Sequence, residues 1–310
     1  MAAAVIANPP VELTDLAQVE RALSAERERG TGSVRATTLN LVVYAPTAED
    51  VSFTQRALER IGGSRPLRAI VATAGADGVR ATVSTSCWLG GGMQQVCSEQ
   101  IYLTARADAL PSAVLSLLVT DLPTFAWWQG PIPEGLAVLA DLAKLASFTV
   151  VDSNISSLEG VARVGGLDSW VTDLAWLRLE PWREAVASVF DPPAAAAALA
   201  EVRTVCVQGP VNEARLLAGW LSSRLGRDVE LDHHERTHVE RVAIRCGGPE
   251  YVIERPAGGH VGRAYGPGTT EHPIVLPILD APTLLGRALD IRAADEVFEA
   301  ALAAAVGLSA

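Results

Sequence analysis

Apolar positions recur along this chain in two rhythms, one of helical spacing and one of strand spacing. Leu16, Val19 and Leu23 share a helical face within residues 14–29, and Gly30 stops the pattern. Residues 36–45 (ATTLNLVVYA) are apolar and β-branched and end at Pro46, which predicts a strand. Thr47, with Asp50 three residues on, is a variant of the capping box and starts a helix. A second buried strand is predicted over 67–73. Residues 79–89 and 95–104 read as two strands joined by Gly90, Gly91 and Gly92, an antiparallel hairpin.

Helices are then predicted near 111–119, 134–145, 156–164 and 181–190, with strands at 124–128 and 148–151. Strands separated by helices imply a mostly parallel, Rossmann-like sheet covered on both faces, the hairpin being an edge or an insertion. Asp191-Pro192-Pro193 precedes an alanine run; Pro is tolerated in a first helical turn, and this is the best boundary candidate. Beyond it come a strand at 204–207, a helix at 213–225, shorter strands at 239–244, 251–255 and 260–265, and helices at 281–289 and 295–306. The expected architecture is α/β, with an N-terminal α/β domain over 1–191 and a smaller α+β domain over 192–310.

A formal net charge of −11 argues against nucleic acid or an anionic membrane as a partner, because both select basic patches. No window approaches the ~20 apolar residues of a membrane span. The start, MAAAVIANPP, lacks the basic region of a secretory signal. Four cysteines without a CxxC form no disulfide-rich framework. A cytoplasmic protein is expected.

The sharpest catalytic motif is His234-Glu235-Arg236-Thr237-His238, a literal HExxH. A zinc peptidase needs both histidines one helical turn apart, with the Glu as base. The surrounding VELDHHERTHVER has no amphipathic helical face, and on a strand positions four apart lie ~13 Å apart. The glycine-rich stretches at 89–95 and 258–268 contain neither GxGxxG nor a phosphate-loop Lys, and there is no GxSxG elbow. No catalytic residue, cofactor or metal is therefore expected. Cys87 and Cys97 are equidistant from the hairpin centre and would face each other at ~4.5–5.5 Å between Cα atoms, within reach of a disulfide. A redox pair and two buried thiols are the two readings.

Five of the seven tryptophans fall between Leu122 and Trp182: Trp127, Trp128, Trp170, Trp176 and Trp182. Adjacent Trp127 and Trp128 point to opposite faces of an extended segment, so one is expected in the core and its neighbour to be exposed or otherwise partnered. With Arg178 and Arg183 nearby, Trp127, Trp128 and Trp182 form a candidate partner-binding surface of hot-spot composition. Core packing is the competing reading, since Trp is highly buried on average.

LPSAVLSLLVTDLPTFAWWQGPIP (110–133), VCSEQIYL (96–103), DLAWLRLEPWRE (173–184) and LLAGWLSSRLG (216–226) together resemble the glucose-6-phosphate dehydrogenase assembly protein family, OpcA. The resemblance runs in order from about Arg35 to Leu225 and more loosely beyond, and SRPLRAI at 64–70 fits the same family's turn. It implies a non-catalytic partner that promotes assembly and activity of glucose-6-phosphate dehydrogenase, the NADPH-producing entry step of the oxidative pentose phosphate pathway. In photosynthetic relatives it also implies thiol control. The family supplies no catalytic residues. Three other readings stay open: a Rossmann-like sugar-phosphate enzyme, the zinc peptidase, and a structural interaction module with no effect on its partner's kinetics.

Overall fold

Runs of β-branched and apolar residues separated by helices build a first sheet. The computed structural model describes residues 6–7, 11–29, 37–62, 65–75, 78–89 and 95–308. Its first-sheet strands are β1 (Ile6–Ala7), β2 (Val11–Leu13), β3 (Asn40–Tyr44), β4 (Arg68–Ala74), β5 (Arg80–Leu89), β6 (Gln95–Ala105), β7 (Thr124–Trp128), β8 (Phe148–Val151) and β9 (Trp170–Asp173). They run in the order β1-β5-β6-β4-β3-β7-β8-β9, with β2 also on β5. From β6 through β4, β3 and β7 to β8 every pair is parallel, while β5 runs antiparallel to β6. The predicted parallel sheet with its hairpin is thus present. The glycines expected to turn the hairpin lie outside the described residues.

Helices cover this sheet. One core cluster joins Val19, Leu23, Leu110, Val114, Leu117 and Leu142 from helices or their ends to Val42, Ile70, Ile101 and Leu103 from strands. The helix Ala48–Gly62 begins at the predicted capping box: the Asp50 amide donates to Thr47 Oγ1 at 3.1 Å, and the Thr47 amide donates to Asp50 Oδ2 at 3.1 Å. It buries Thr54, Ala57, Leu58 and Ile61, a spacing of three and four. Each large side chain so buried contributes about 1.5–3 kcal/mol.

The second sheet comprises β10 (Val202–Gly209), β11 (Glu230–Glu235), β12 (Arg241–Cys246), β13 (Glu250–Glu254), β14 (Val261–Gly266) and β15 (Thr269–Val275), in the order β11-β10-β12-β13-β14-β15. Only β10–β11 is parallel. Register sorts its residues onto two faces. Val205, Val207, Val242, Ile244 and Ile253 share one, fully buried, and Tyr251 there meets Phe190 at 4.6 Å between ring centroids. The opposite face has a short apolar row, Cys206, Ala243, Val252 and Tyr265, flanked by exposed His234, Arg245, Arg263 and Glu271.

Two helices, Val211–Leu225 and Glu296–Val306, pack closely through Gly219. A Cβ there would sit 2.3 Å from the Ala301 carbonyl oxygen and 2.7 Å from the Ala305 amide nitrogen. The first of these helices ends at Gly226 in the left-handed region (φ +63°), where glycine meets no Cβ penalty.

The chain forms two compact units, and no single cut separates them. One comprises residues 1–151, 164–171 and 281–292; the other comprises 152–163, 172–280 and 293–310. Asp191 therefore lies inside the second unit rather than at its edge. Six strands and helices were not predicted: β1, β2, β9, the helix Leu174–Arg178, β11 and β15. Among the described residues no helix is long and apolar enough to cross a membrane.

Candidate functional site

The aromatic block resolves into packing. Strand β7 is central, and all five of its residues are buried. Trp127 and Trp128 do diverge, one toward Phe53 (6.2 Å) and the other stacked on Tyr44 (4.2 Å, 16°). Tyr44 is the direct register partner of Trp128, whose Nε1 donates to the Pro131 carbonyl at 3.2 Å. Divergence was expected to expose one ring if it found no partner. Both find cover, so relative exposures are 2% and 7%.

Trp182 is likewise 3% exposed, with the Arg255 guanidinium 5.4 Å from its ring centre. Arg183 lies 3.4 Å over the Trp176 ring, and Trp176 Nε1 donates to Asp295 Oδ2 at 2.8 Å. Asp295 also caps the helix Glu296–Val306 by accepting from the Phe298 amide at 2.9 Å. The expected partner surface of Trp127, Trp128, Arg178, Trp182 and Arg183 is therefore corrected: the rings are core, and the arginines are occupied within it. Of the five tryptophans in the block, Trp170 alone is substantially exposed, at 47%.

Arg178 anchors a buried polar cluster. Its Nη1 donates to Glu213 Oε1 at 2.7 Å and its Nη2 to Asp152 Oδ2 at 2.9 Å, while Asn154 Nδ2 also donates to Glu213 Oε1 at 2.7 Å. Burial works to lower the Arg178 pKa, but the two carboxylates outweigh it and hold the guanidinium charged. Burial pushes Glu213 up, against the pull of Arg178. Asp173 caps the helix Leu174–Arg178, its Oδ1 accepting from Ala175 at 3.0 Å and from the Ser153 amide at 2.9 Å. Its Oδ2 has no hydrogen-bond partner, and burial, with Asp152 nearby, raises its pKa to about 7. Through Asp152 and Ser153, adjacent in sequence, Arg178 and Asp173 each fasten the same turn.

Cys87 and Cys97 are direct register partners, and they are joined by a disulfide with a Cα separation of 4.1 Å. The HExxH residues are not helical. His234 and Glu235 end strand β11, and His238 lies beyond it, before β12. His233 turns to the covered face, its Nε2 2.8 Å from the Gly209 carbonyl oxygen. His234 instead approaches Asp232 and Cys206, and one ligand atom from each of these three lies within 4.8 Å of the others. This grouping was missed because ELDHHE is polar on both faces and gives no strand signal. The retrospective clue is Asp-x-His, the spacing that puts two side chains on one face of a strand.

A cavity of about 460 Å³ opens on the second sheet among Gln208, Glu240, Arg241, Glu254, Arg255 and Arg263. Glu254 pairs with Arg241 at 3.6 Å and with Arg263 at 2.6 Å. Two of its three arginines are thus already compensated, which weakens it as a phosphate cradle.

Comparison with known proteins completes the picture. Residues 58–163 match the family described as glucose-6-phosphate dehydrogenase subunit N-terminal domain (OpcA), and residues 169–302 match the corresponding C-terminal domain. The OxPP cycle protein OpcA of Synechocystis sp. is 30% identical over 183 residues, 54% of this chain and 38% of that protein. Its counterpart in Nostoc punctiforme is 32% identical over 165 residues, 48% of this chain and 35% of that protein. The matches thus span well under half the length of these relatives. Among solved structures, the 3-ketoreductase KijD10 from Actinomadura kijaniata, in complex with TDP-benzene and NADP, has a TM-score of 0.49 at 12% identity, covering 87% of this chain and 95% of that one. Biliverdin reductase from Synechocystis sp. has a TM-score of 0.48 at 10% identity, covering 87% and 96%. Neither structural likeness is close enough to bear on function. With both family domains matched in order along its length, the chain belongs to the OpcA family of glucose-6-phosphate dehydrogenase subunits.

Proposed function

We propose that this chain is a non-catalytic subunit that binds glucose-6-phosphate dehydrogenase and shifts its oligomer toward the active state. The observation that carries this reading is the joint match of both domains to a family described as subunits of that enzyme. A subunit activates only by binding one state of its partner more tightly than another. Moving such an equilibrium from 1:99 to 99:1 takes about 5.5 kcal/mol of differential affinity.

With Trp127, Trp128 and Trp182 in the core, the contact lies elsewhere, and Trp170 is the aromatic to test. The cross-strand cysteines belong to the same proposal. Reducing Cys87–Cys97 would release one crosslink in the hairpin and alter the affinity for the dehydrogenase.

The test is co-purification with the host dehydrogenase, followed by rate and sedimentation measurements across a titration of this chain. The expected result is a higher rate or tighter sugar-phosphate binding, together with a larger particle. An unchanged rate and unchanged sedimentation, where the two co-purify, would leave only a passive interaction module. Equal affinity before and after reduction, matched by a Cys97→Ser variant, would remove the thiol element.

A further inference from the structure

We propose that Cys206, Asp232 and His234 form a binding site for a soft or borderline divalent cation such as zinc, on the face of the second sheet opposite its buried valines. Register alone assembles the three residues. Strands β10 and β11 run parallel with Cys206 opposite Asp232, and His234 is two residues beyond Asp232, hence on the same face. The candidate ligand atoms all lie within 4.8 Å of one another, and His234 Nε2 is 3.5 Å from Asp232 Oδ1. Tetrahedral zinc with bonds of ~2.0–2.3 Å holds its ligands about 3.5 Å apart. Closing the remaining gap requires only side-chain rotation, which exposed His234 is free to make.

The surroundings suit a cation. Ala243 is the β12 partner of Cys206, a small neighbour beside the buried thiol. Arg245 lies 3.5 Å from the other carboxylate oxygen, Asp232 Oδ2, and is also held by Glu250 at 3.1 Å. It can orient the carboxylate while leaving Oδ1 for the metal, a carboxylate-positioning role of the kind that tunes metal ligands. A sulfur, an imidazole nitrogen and one carboxylate oxygen select zinc, cobalt or cadmium over magnesium or calcium, and water supplies the fourth ligand. On binding, the Cys206 S–H bond breaks, its proton leaves to solvent, and the sulfur electron pair forms the bond to the metal. Thiolate and carboxylate together then balance the two positive charges.

The site differs from a peptidase centre in the residue it leaves out. His238 takes no part, and Glu235 points to the other face of the strand from His234. Its role is mechanical: β11 is the edge strand of the sheet, and the cation would staple it to β10.

Cobalt(II) titration of the full chain in oxygen-free buffer tests this. One equivalent is expected to give tetrahedral visible bands and a thiolate-to-cobalt charge-transfer band in the near ultraviolet, and zinc should displace it. Cys206→Ser should abolish the charge-transfer band, and His234→Ala should weaken binding about tenfold or more. His234 is exposed, so this variant keeps the fold; His238→Ala should bind as the parent does. No stoichiometric cobalt, an unchanged band in Cys206→Ser, or equal loss in His238→Ala would each overturn the proposal.

Discussion

The strands Thr124–Trp128 and Glu230–Glu235 are opposites in how cover decides meaning. The first is a central strand with apolar layers on both sides, and every side chain on it is buried. The second is an edge strand with one face toward the valine core and the other toward charged neighbours, and none of its residues is fully buried. A conspicuous residue on the first strand is therefore structural, however much it looks like a binding anchor. A conspicuous residue on the second is available for chemistry, however ordinary its sequence.

The comparison breaks most readily at Trp127. Trp127→Ala should cost about 3–5 kcal/mol of stability, because it empties a large site enclosed on all sides. Urea unfolding measures this; a parent-like midpoint would mean the strand is not the core it resembles. Next comes Arg178→Met, which strands Glu213 and Asp152 without their counter-charge and should cost about 3 kcal/mol. A loss no larger than that of an exposed pair would show the cluster to be hydrated.

Asp173 sharpens the contrast through pH. Its folded pKa of about 7 stands above the ordinary carboxylate value of 3.8, so the folded chain holds this proton more tightly than the unfolded one. The sign follows: the contribution is fully present below about pH 4 and is lost as pH rises toward 7. Asp173→Asn keeps the capping oxygen and cannot ionise. Relative to the parent it should gain stability progressively from about pH 4 to 7, by up to a few kcal/mol, and no further above that. A difference independent of pH would show that this carboxyl is not held neutral by burial. The smallest effect belongs to Arg263→Ala on the open face of the second sheet, whose partners Glu254 and Glu271 remain solvated; no measurable change in Tm is expected.

Local signals were legible where local physics decides. The Thr47–Asp50 box, the apolar run of β7 and the paired hairpin strands each specify their own structure from neighbouring residues. The face-to-face position of Cys87 and Cys97 followed from counting along the hairpin. Other elements carry little local signal. Strand β15 contains Pro273, which reads as a breaker, yet an edge strand can leave that missing amide unpaired. The helix Leu174–Arg178 is a single turn and a half, too short for a periodic pattern, and only its Asp173 cap marks it. The tryptophans were misplaced for a different reason. Which faces of a sheet are covered is decided by helices distant in sequence, and no count of Trp and Arg contains that information.

Gly219 carries a lesson about mutational tolerance. The last helix of the second unit is seated by the absence of a side chain, so its docking leaves no room for even the smallest growth at this position. Most buried positions permit a neighbouring size of residue at moderate cost. Here the obstacle is backbone, which cannot choose another rotamer, and any replacement must displace a whole helix. In a library of single substitutions, position 219 should tolerate almost nothing, while Ala304, one residue before its contact partner and on a half-exposed surface, should accept many residues. Adaptive change in this unit is thereby channelled away from the helix pair and toward the open sheet.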